Sequence, residues 1–170
     1  MEGSEFKQRF LVYSGLIYRY AFAVTSDSTD AEDIVQEVFE KLWKIRETLA
    51  AIENDEAYVV SVARNCSLDH LRKQSRHRIT ALTPTTEAED DGGALTGLEA
   101  KEQLQHVEQL LSTLPQNQQR AIRLRHYADQ PLPEIAAVMQ LTEMNVRQLL
   151  SRARRNLKDK MKKYEYGERV

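Results

Sequence analysis

The chain has 170 residues, 41% of them hydrophobic and 29% charged, a formal net charge of −2 and a single cysteine, Cys66. These values suit one medium or two small soluble domains and exclude a disordered or fibrous chain. No apolar run approaches the ~20 residues that a membrane span needs, and the N-terminus lacks the basic-then-apolar order of a secretory signal.

One cysteine and four scattered histidines provide neither a disulfide nor zinc-binding spacing. The expectation is a cytoplasmic protein that inserts in no membrane and uses no metal or cofactor, with Cys66 as a small buried residue.

No stretch alternates with a period of two, and the β-branched residues fall at helical spacing, so the chain reads as all-α. Over residues 5–24, Phe6, Phe10, Tyr13, Ile17, Tyr20 and Val24 recur three or four apart and predict one continuous helix with a core-facing stripe. A polar turn over 25–29 ends it. Thr29 and Glu32 then stand at capping-box spacing and predict the start of a second helix. Ile34, Val35, Val38, Phe39, Leu42 and Ile45 give that helix an apolar face, while Asp33, Gln36, Glu37 and Glu40 keep the other side wet. Residues 27–56 hold ten acids against three bases, a net −7.

A short loop over 47–54 leads to a third helix, with Asn54 as its cap and Val59, Val62, Ala63, Cys66 and Leu71 inward. The second half of this helix reverses the charge: Arg64, Arg72, Lys73, Arg76 and Arg78 oppose only Asp69. From about 80 to 97 the periodicity dissolves into Thr, Pro, Gly and acids, including Pro84, Gly92 and Gly93, as in a flexible acidic linker. Helical spacing resumes with Leu104, Val107, Leu111 and Leu114, and Pro115 suits the first turn of the next helix. The predicted organisation is therefore two helical domains, 1–79 and 99–170, joined by a linker over 80–98.

In the second domain Ile135, Ala136 and Met139 mark a short helix, Gln140 and Leu141 a tight turn, and Thr142 the cap of a long final helix. This is helix-turn-helix spacing. Val146, Leu149, Leu150, Ala153, Leu157 and Met161 recur as an inward stripe, which leaves Arg147, Gln148, Ser151, Arg152, Arg155 and Lys158 mostly outward. Residues 147–163 carry eight bases against Asp159. A helix that presents Arg, Gln and Ser near its start can enter a major groove, where Arg pairs bidentately with guanine and Gln with adenine. Arg154, Arg155, Lys158 and Lys160, further along, would hold phosphates and set affinity more than sequence preference.

The first basic block has different chemistry. Tyr58, Arg64, Asn65, Arg72 and Lys73 combine a stacking surface, a base-edge hydrogen bonder and phosphate grips, the ingredients of single-strand binding. The acidic face around Asp33 and Glu37 has no partner base in the sequence and reads either as a solvated helix or as a protein-docking surface. No nucleophile–base pair, Gly-rich phosphate loop or metal motif emerges, which argues against an enzyme.

Read together, the segments 30–43 (DAEDIVQEVFEKLW), 62–65 (VARN) with 69–72 (DHLR), Leu114 with Pro115, 134–136 (EIA) and 146–154 (VRQLLSRAR) resemble the sigma-70 family of transcription initiation factors, in its extracytoplasmic-function (ECF) group. The match runs through both domains in order and leaves only the linker uncovered. The resemblance implies a factor that binds core RNA polymerase, at the clamp of β′ and the flap of β, and directs it to promoter DNA. It implies polymerase docking by Asp33, Gln36, Glu37, Phe39 and Trp43.

It further implies minus-10 melting and capture of a flipped base by the 47–54 loop and the third helix, through Leu49, Tyr58, Arg64, Asn65, Arg72 and Lys73. Minus-35 reading is assigned to Thr142, Asn145, Arg147, Gln148, Ser151, Arg152 and Arg155. The linker matches the connector that threads the polymerase, and the family commonly has an anti-sigma factor as a further partner. This chain departs from the family pattern at Tyr58, where Trp is usual, and at Leu49, where an aromatic is frequent. It also departs at Gln140, in place of a turn glycine, and at Pro131 and Pro133, where Ser or Thr commonly caps.

Overall fold

The computed structural model describes residues 1–80 and 98–167. Most of the predicted linker falls outside the described residues. The chain divides into two compact units, Met1–Asp90 and Asp91–Val170. Among the described residues every regular element is helical, and no helix is long and apolar enough to cross a membrane.

In the first unit the predicted opening helix is broken. Helix α1 covers Gly3–Phe10, a 3-10 turn covers Leu11–Tyr13, and α2 covers Ser14–Thr25. A 3-10 turn advances by about 120° per residue instead of 100°. The faces on either side of it therefore fall out of phase. Phe6 and Phe10 are buried from α1 and Ile17, Tyr20 and Val24 from α2, while Leu11 and Val12 are turned outward and Tyr13 is half-buried.

Helix α3, Ser28–Lys44, begins one residue before Thr29. Its cap is Asp27, in extended conformation, whose carboxylate accepts from the Asp30 N–H at 2.9 Å. Ser26 in the left-handed region ends α2 immediately before it. The predicted Thr29–Glu32 box is thus not used, because a stronger capping side chain stands two residues upstream of Thr29.

A 3-10 turn, Thr48–Ala51, leads to α4, Asp55–Thr80. Asn54 caps α4 as expected, its side chain accepting from the Ala57 N–H at 2.9 Å. Val59, Ala63 and Cys66 are buried on α4 against Ile34, Val38 and Leu42 of α3 and the core face of α2. Val62 and Leu71 are only half-buried, and Ile45 is exposed. Two polar connections fasten this bundle. Arg9 meets both carboxylate oxygens of Asp55 at 2.6 Å and donates to the Ile52 carbonyl at 3.0 Å. Asp30 takes a hydrogen bond from Gln74 at 2.6 Å and lies 3.0 Å from His70.

The second unit holds α5, Leu98–Ser112; α6, Gln116–Ile122, which continues into a wider π-wound turn, Arg123–Tyr127; α7, Leu132–Met139; and α8, Glu143–Gly167. Pro115 sits at the cap position, one residue before α6 begins. Leu111, Leu114, Ala121, Leu124, Ile135, Val138, Val146, Leu150 and Ala153 form the core. Inside it the buried Arg123 guanidinium pairs with Glu108 of α5 and Gln119 of α6. Asn156 of α8 donates to the buried Gln118 of α6 at 3.0 Å. Met161, expected inward, is 45% exposed, and Val107, which falls on the helical spacing of α5, is 43% exposed. Towards its far end α8 meets α5 through the rings of Tyr164 and His106, 4.1 Å apart.

Candidate functional site

Three surfaces carry the residues singled out from the sequence. The first is the outer side of α3. Asp33 and Gln36 are exposed, Glu37 and Phe39 half-buried, and Trp43 is 42% exposed. Gln36, Phe39 and Trp43 line an apolar groove of about 570 Å³ together with Val35, Glu40 and, from α1 and the turn after it, Phe6, Lys7 and Leu11. Trp43 is fixed in its wall by an edge contact with the Phe6 ring at 5.1 Å and by the Arg46 guanidinium over its face at 4.6 Å. Asp33 and Glu37 do not line the groove. Glu37 instead pairs with Lys41 at 2.8 Å, and Lys41 Nζ lies 3.4 Å from Cys66 Sγ. Burial pushes the Cys66 thiol up, with the Glu37 charge adding to it, so the residue stays a neutral thiol, as its sequence context suggested.

The wall from α1 was not assigned to this surface in the sequence. Phe6 belongs to a stripe that reads as ordinary core, and nothing local tells which neighbour it will touch.

The second surface is the outer face of α4 with the turn before it. Tyr58, Asn65 and Arg72 are seven residues apart, which places them on one face at intervals of about 10 Å. Tyr58 is half-buried, while Asn65, Arg72 and Lys73 are exposed. Arg72 pairs loosely with Asp69, 3.1 Å away and itself largely solvated. Arg64 is half-buried and lies about a third of a turn away from the Tyr58–Asn65 line.

Leu49 is different. It is fully buried beneath the Thr48–Ala51 turn, so its side chain is not presented to a base in this conformation. An apolar residue at a loop centre becomes core when the loop folds back over a helical bundle. The position of Arg9, clamping Ile52 and Asp55 at the end of the same loop, was not foreseen either, because its partner is 46 residues distant.

The third surface is the start of α8. Thr142 caps it, its hydroxyl accepting from the Asn145 N–H at 3.2 Å. Gln140 supplies the tight turn in the left-handed conformation at φ 55°, a position where glycine is the unstrained choice. Thr142, Asn145, Arg147, Gln148, Ser151, Arg152 and Arg155 are all exposed. None of the three arginines has an ion-pair partner among the described residues, nor does Lys158. Val146, Leu150 and Ala153 bury the opposite face, so the packing fixes which way these cations point. Arg154 turns toward the π-wound turn, 3.3 Å from His126 Nε2. Burial holds His126 below its ordinary value, and the Arg154 and Arg125 charges add to that shift. Among the described residues no cluster of His, Cys, Asp or Glu could hold a metal ion.

A helix-turn-helix unit and a separate helical bundle with a basic outer face define a nucleic-acid-binding protein of two modules. Comparison with known proteins gives each module its family. Residues 10–77 match the model of sigma-70 region 2, and residues 110–159 match that of sigma-70 region 4, together well over half of the chain. The chain is 26% identical over 155 residues to the ECF RNA polymerase sigma factor SigM of Bacillus subtilis, covering 88% of this chain and 90% of that protein. It is 29% identical over 161 residues to the ECF RNA polymerase sigma-E factor of Escherichia coli K12, covering 86% and 84%.

Among solved structures, the sigma factor RpoE of Bartonella quintana, determined in complex with the anti-sigma factor NepR, superposes with a TM-score of 0.69 at 25% identity, over 94% of this chain and 98% of that one. The protein belongs to the sigma-70 family of RNA polymerase sigma factors, in its ECF group.

Proposed function

We propose that the chain is the promoter-specificity subunit of a bacterial RNA polymerase, with residues 1–79 as polymerase-docking and minus-10 module, 80–98 as connector and 99–170 as minus-35 module. The observation that carries this is that the region 2 and region 4 matches fall in order on one chain, each over a surface with the chemistry its role demands.

The acidic side of α3 and its apolar groove dock the clamp of β′: Asp33 and Glu37 supply charge, while Gln36, Phe39 and Trp43 supply the contact area. The second unit engages the flap of β. The α4 face then meets DNA that is losing its pairing. Extracting a base costs a few kcal/mol, and stacking on an aromatic ring returns about 1–3 kcal/mol per base, so Tyr58 beside Asn65 offsets the cost while Arg64, Arg72 and Lys73 hold the backbone. Leu49 serves this module as the plug that seats the 47–54 loop. On α8, Arg147, Gln148, Ser151 and Arg152 face the minus-35 groove with Thr142 and Asn145 at its edge, and Arg155 holds phosphate.

The site of action is the cytoplasm, where polymerase works, and an anti-sigma factor competing for the α3 groove is the natural means of restraint. The activity is binding and strand separation, with no bond made or broken by the chain itself.

The test is run-off transcription on genomic fragments with core polymerase. Addition of the chain yields discrete start sites, and Asp33→Arg, at an exposed position, abolishes them with the fold intact. Duplex binding by the chain alone at the same sites, indifferent to core and to Asp33→Arg, refutes the proposal in favour of a polymerase-independent regulator.

A further inference from the structure

The first turn of α8 carries one side chain that neither its packing nor the polar groups of its face explain. Met144 is the second residue of the helix and is 70% exposed, while the core stripe of the same helix runs through Val146, Leu150 and Ala153 on the other side. Single exposed apolar residues are common on protein surfaces and by themselves mean nothing. The position decides the matter. Met144 stands three, four and seven residues before Arg147, Gln148 and Ser151, so it shares their face and lies closest to the helix N-terminus, the part of a recognition helix that goes deepest toward the bases.

Three of these four side chains bring hydrogen-bonding groups. Met144 brings no donor and only the weak acceptor of a thioether, so its flexible side chain contributes mainly apolar contact. The major groove offers one apolar feature, the 5-methyl group of thymine.

We infer that Met144 is a specificity-determining residue that reads a thymine in the minus-35 element through its methyl group. The inference rests on the minus-35 reading of α8 and adds to it a base preference that the polar residues do not supply. It also assigns a reason to the exposure: the side chain is left in water until the groove covers it. Covering one methyl group is worth about fourfold in affinity.

The experiment uses core polymerase loaded with the full chain and the strongest promoter fragment recovered by run-off transcription. In a set of duplexes each thymine of the minus-35 element is replaced in turn by uracil, which removes only the methyl group, and affinity is read by competition against a fluorescent promoter. The wild-type holoenzyme is expected to lose about fourfold at one thymine. Met144→Ala should bind the thymine and uracil duplexes alike at that position, at the wild-type level for uracil, and Met144→Leu should keep the discrimination. Wild-type binding that ignores every exchange, or a Met144→Ala holoenzyme that still discriminates, overturns the assignment and leaves the minus-35 reading standing. Failure of the wild-type chain to direct core polymerase to any promoter removes that reading and this inference together.

Discussion

Leu49 separates a supporting role from a contacting one, and the two make different demands on the same experiment. Its side chain is fully enclosed beneath the Thr48–Ala51 turn. Leu49→Ala deletes three carbons there, a loss of about 2.4 kcal/mol at ~0.8 kcal/mol for each. The cavity left behind raises the cost to about 3 kcal/mol. The chain has one tryptophan, Trp43, and it lies in the first unit, so its emission follows the unfolding of that unit alone. With a urea slope of about 1.5 kcal/mol/M the midpoint falls by about 2 M. Promoter opening should fall with it, while Leu49→Met, which conserves volume, should leave midpoint and promoter preference close to wild type. A Leu49→Ala midpoint within about 0.5 M of wild type, or an altered promoter preference in Leu49→Met at unchanged stability, would refute the burial argument.

Three further outcomes are expected. Asp27→Ala should destabilise the first unit by about 1 kcal/mol through loss of the α3 cap, whereas Thr29→Ala, exposed in the first turn, should change the stability read from Trp43 emission by less than about 0.5 kcal/mol. Arg147→Ala should weaken transcription from one minus-35 sequence preferentially, whereas Lys158→Ala should weaken all sequences alike and reduce the salt slope of promoter binding by about 1; equal losses everywhere from both would sink that division of labour. His126 should titrate below an ordinary histidine by NMR, and Arg154→Ala should move its midpoint up. The folded state thus favours the neutral imidazole, so the contribution of His126 is complete above the unfolded-state value and is lost as pH falls through the folded one. His126→Gln should remove that component of the pH dependence.

The residues differ in how far local sequence could place them. Asn54 and Thr142 were legible as caps because capping depends on a side chain and a backbone N–H three residues away. The face of α8 was legible because Val146, Leu150 and Ala153 state its inward side at helical spacing, which leaves Arg147, Gln148 and Ser151 no alternative but solvent. Thr29 failed as a cap because two competing signals lay within three residues, and the choice fell to Asp27, where the chain leaves α2 through a left-handed Ser26. Met161 failed as core because periodicity reports which side of a helix is apolar and says nothing of where the neighbouring helices stop.

The sequence by itself determined an all-α chain, the direction in which each amphipathic helix faces, and the family, since these follow from spacings of three to seven residues and from short motifs. The tertiary structure alone decided that Phe6, Lys7 and Leu11 join Trp43 in one apolar groove, that Arg9 clamps Asp55, and that Leu49 is buried. The groove and the clamp are contacts between segments far apart in the chain. Such contacts depend on how helices pack around a shared core, and no local pattern of side chains encodes that.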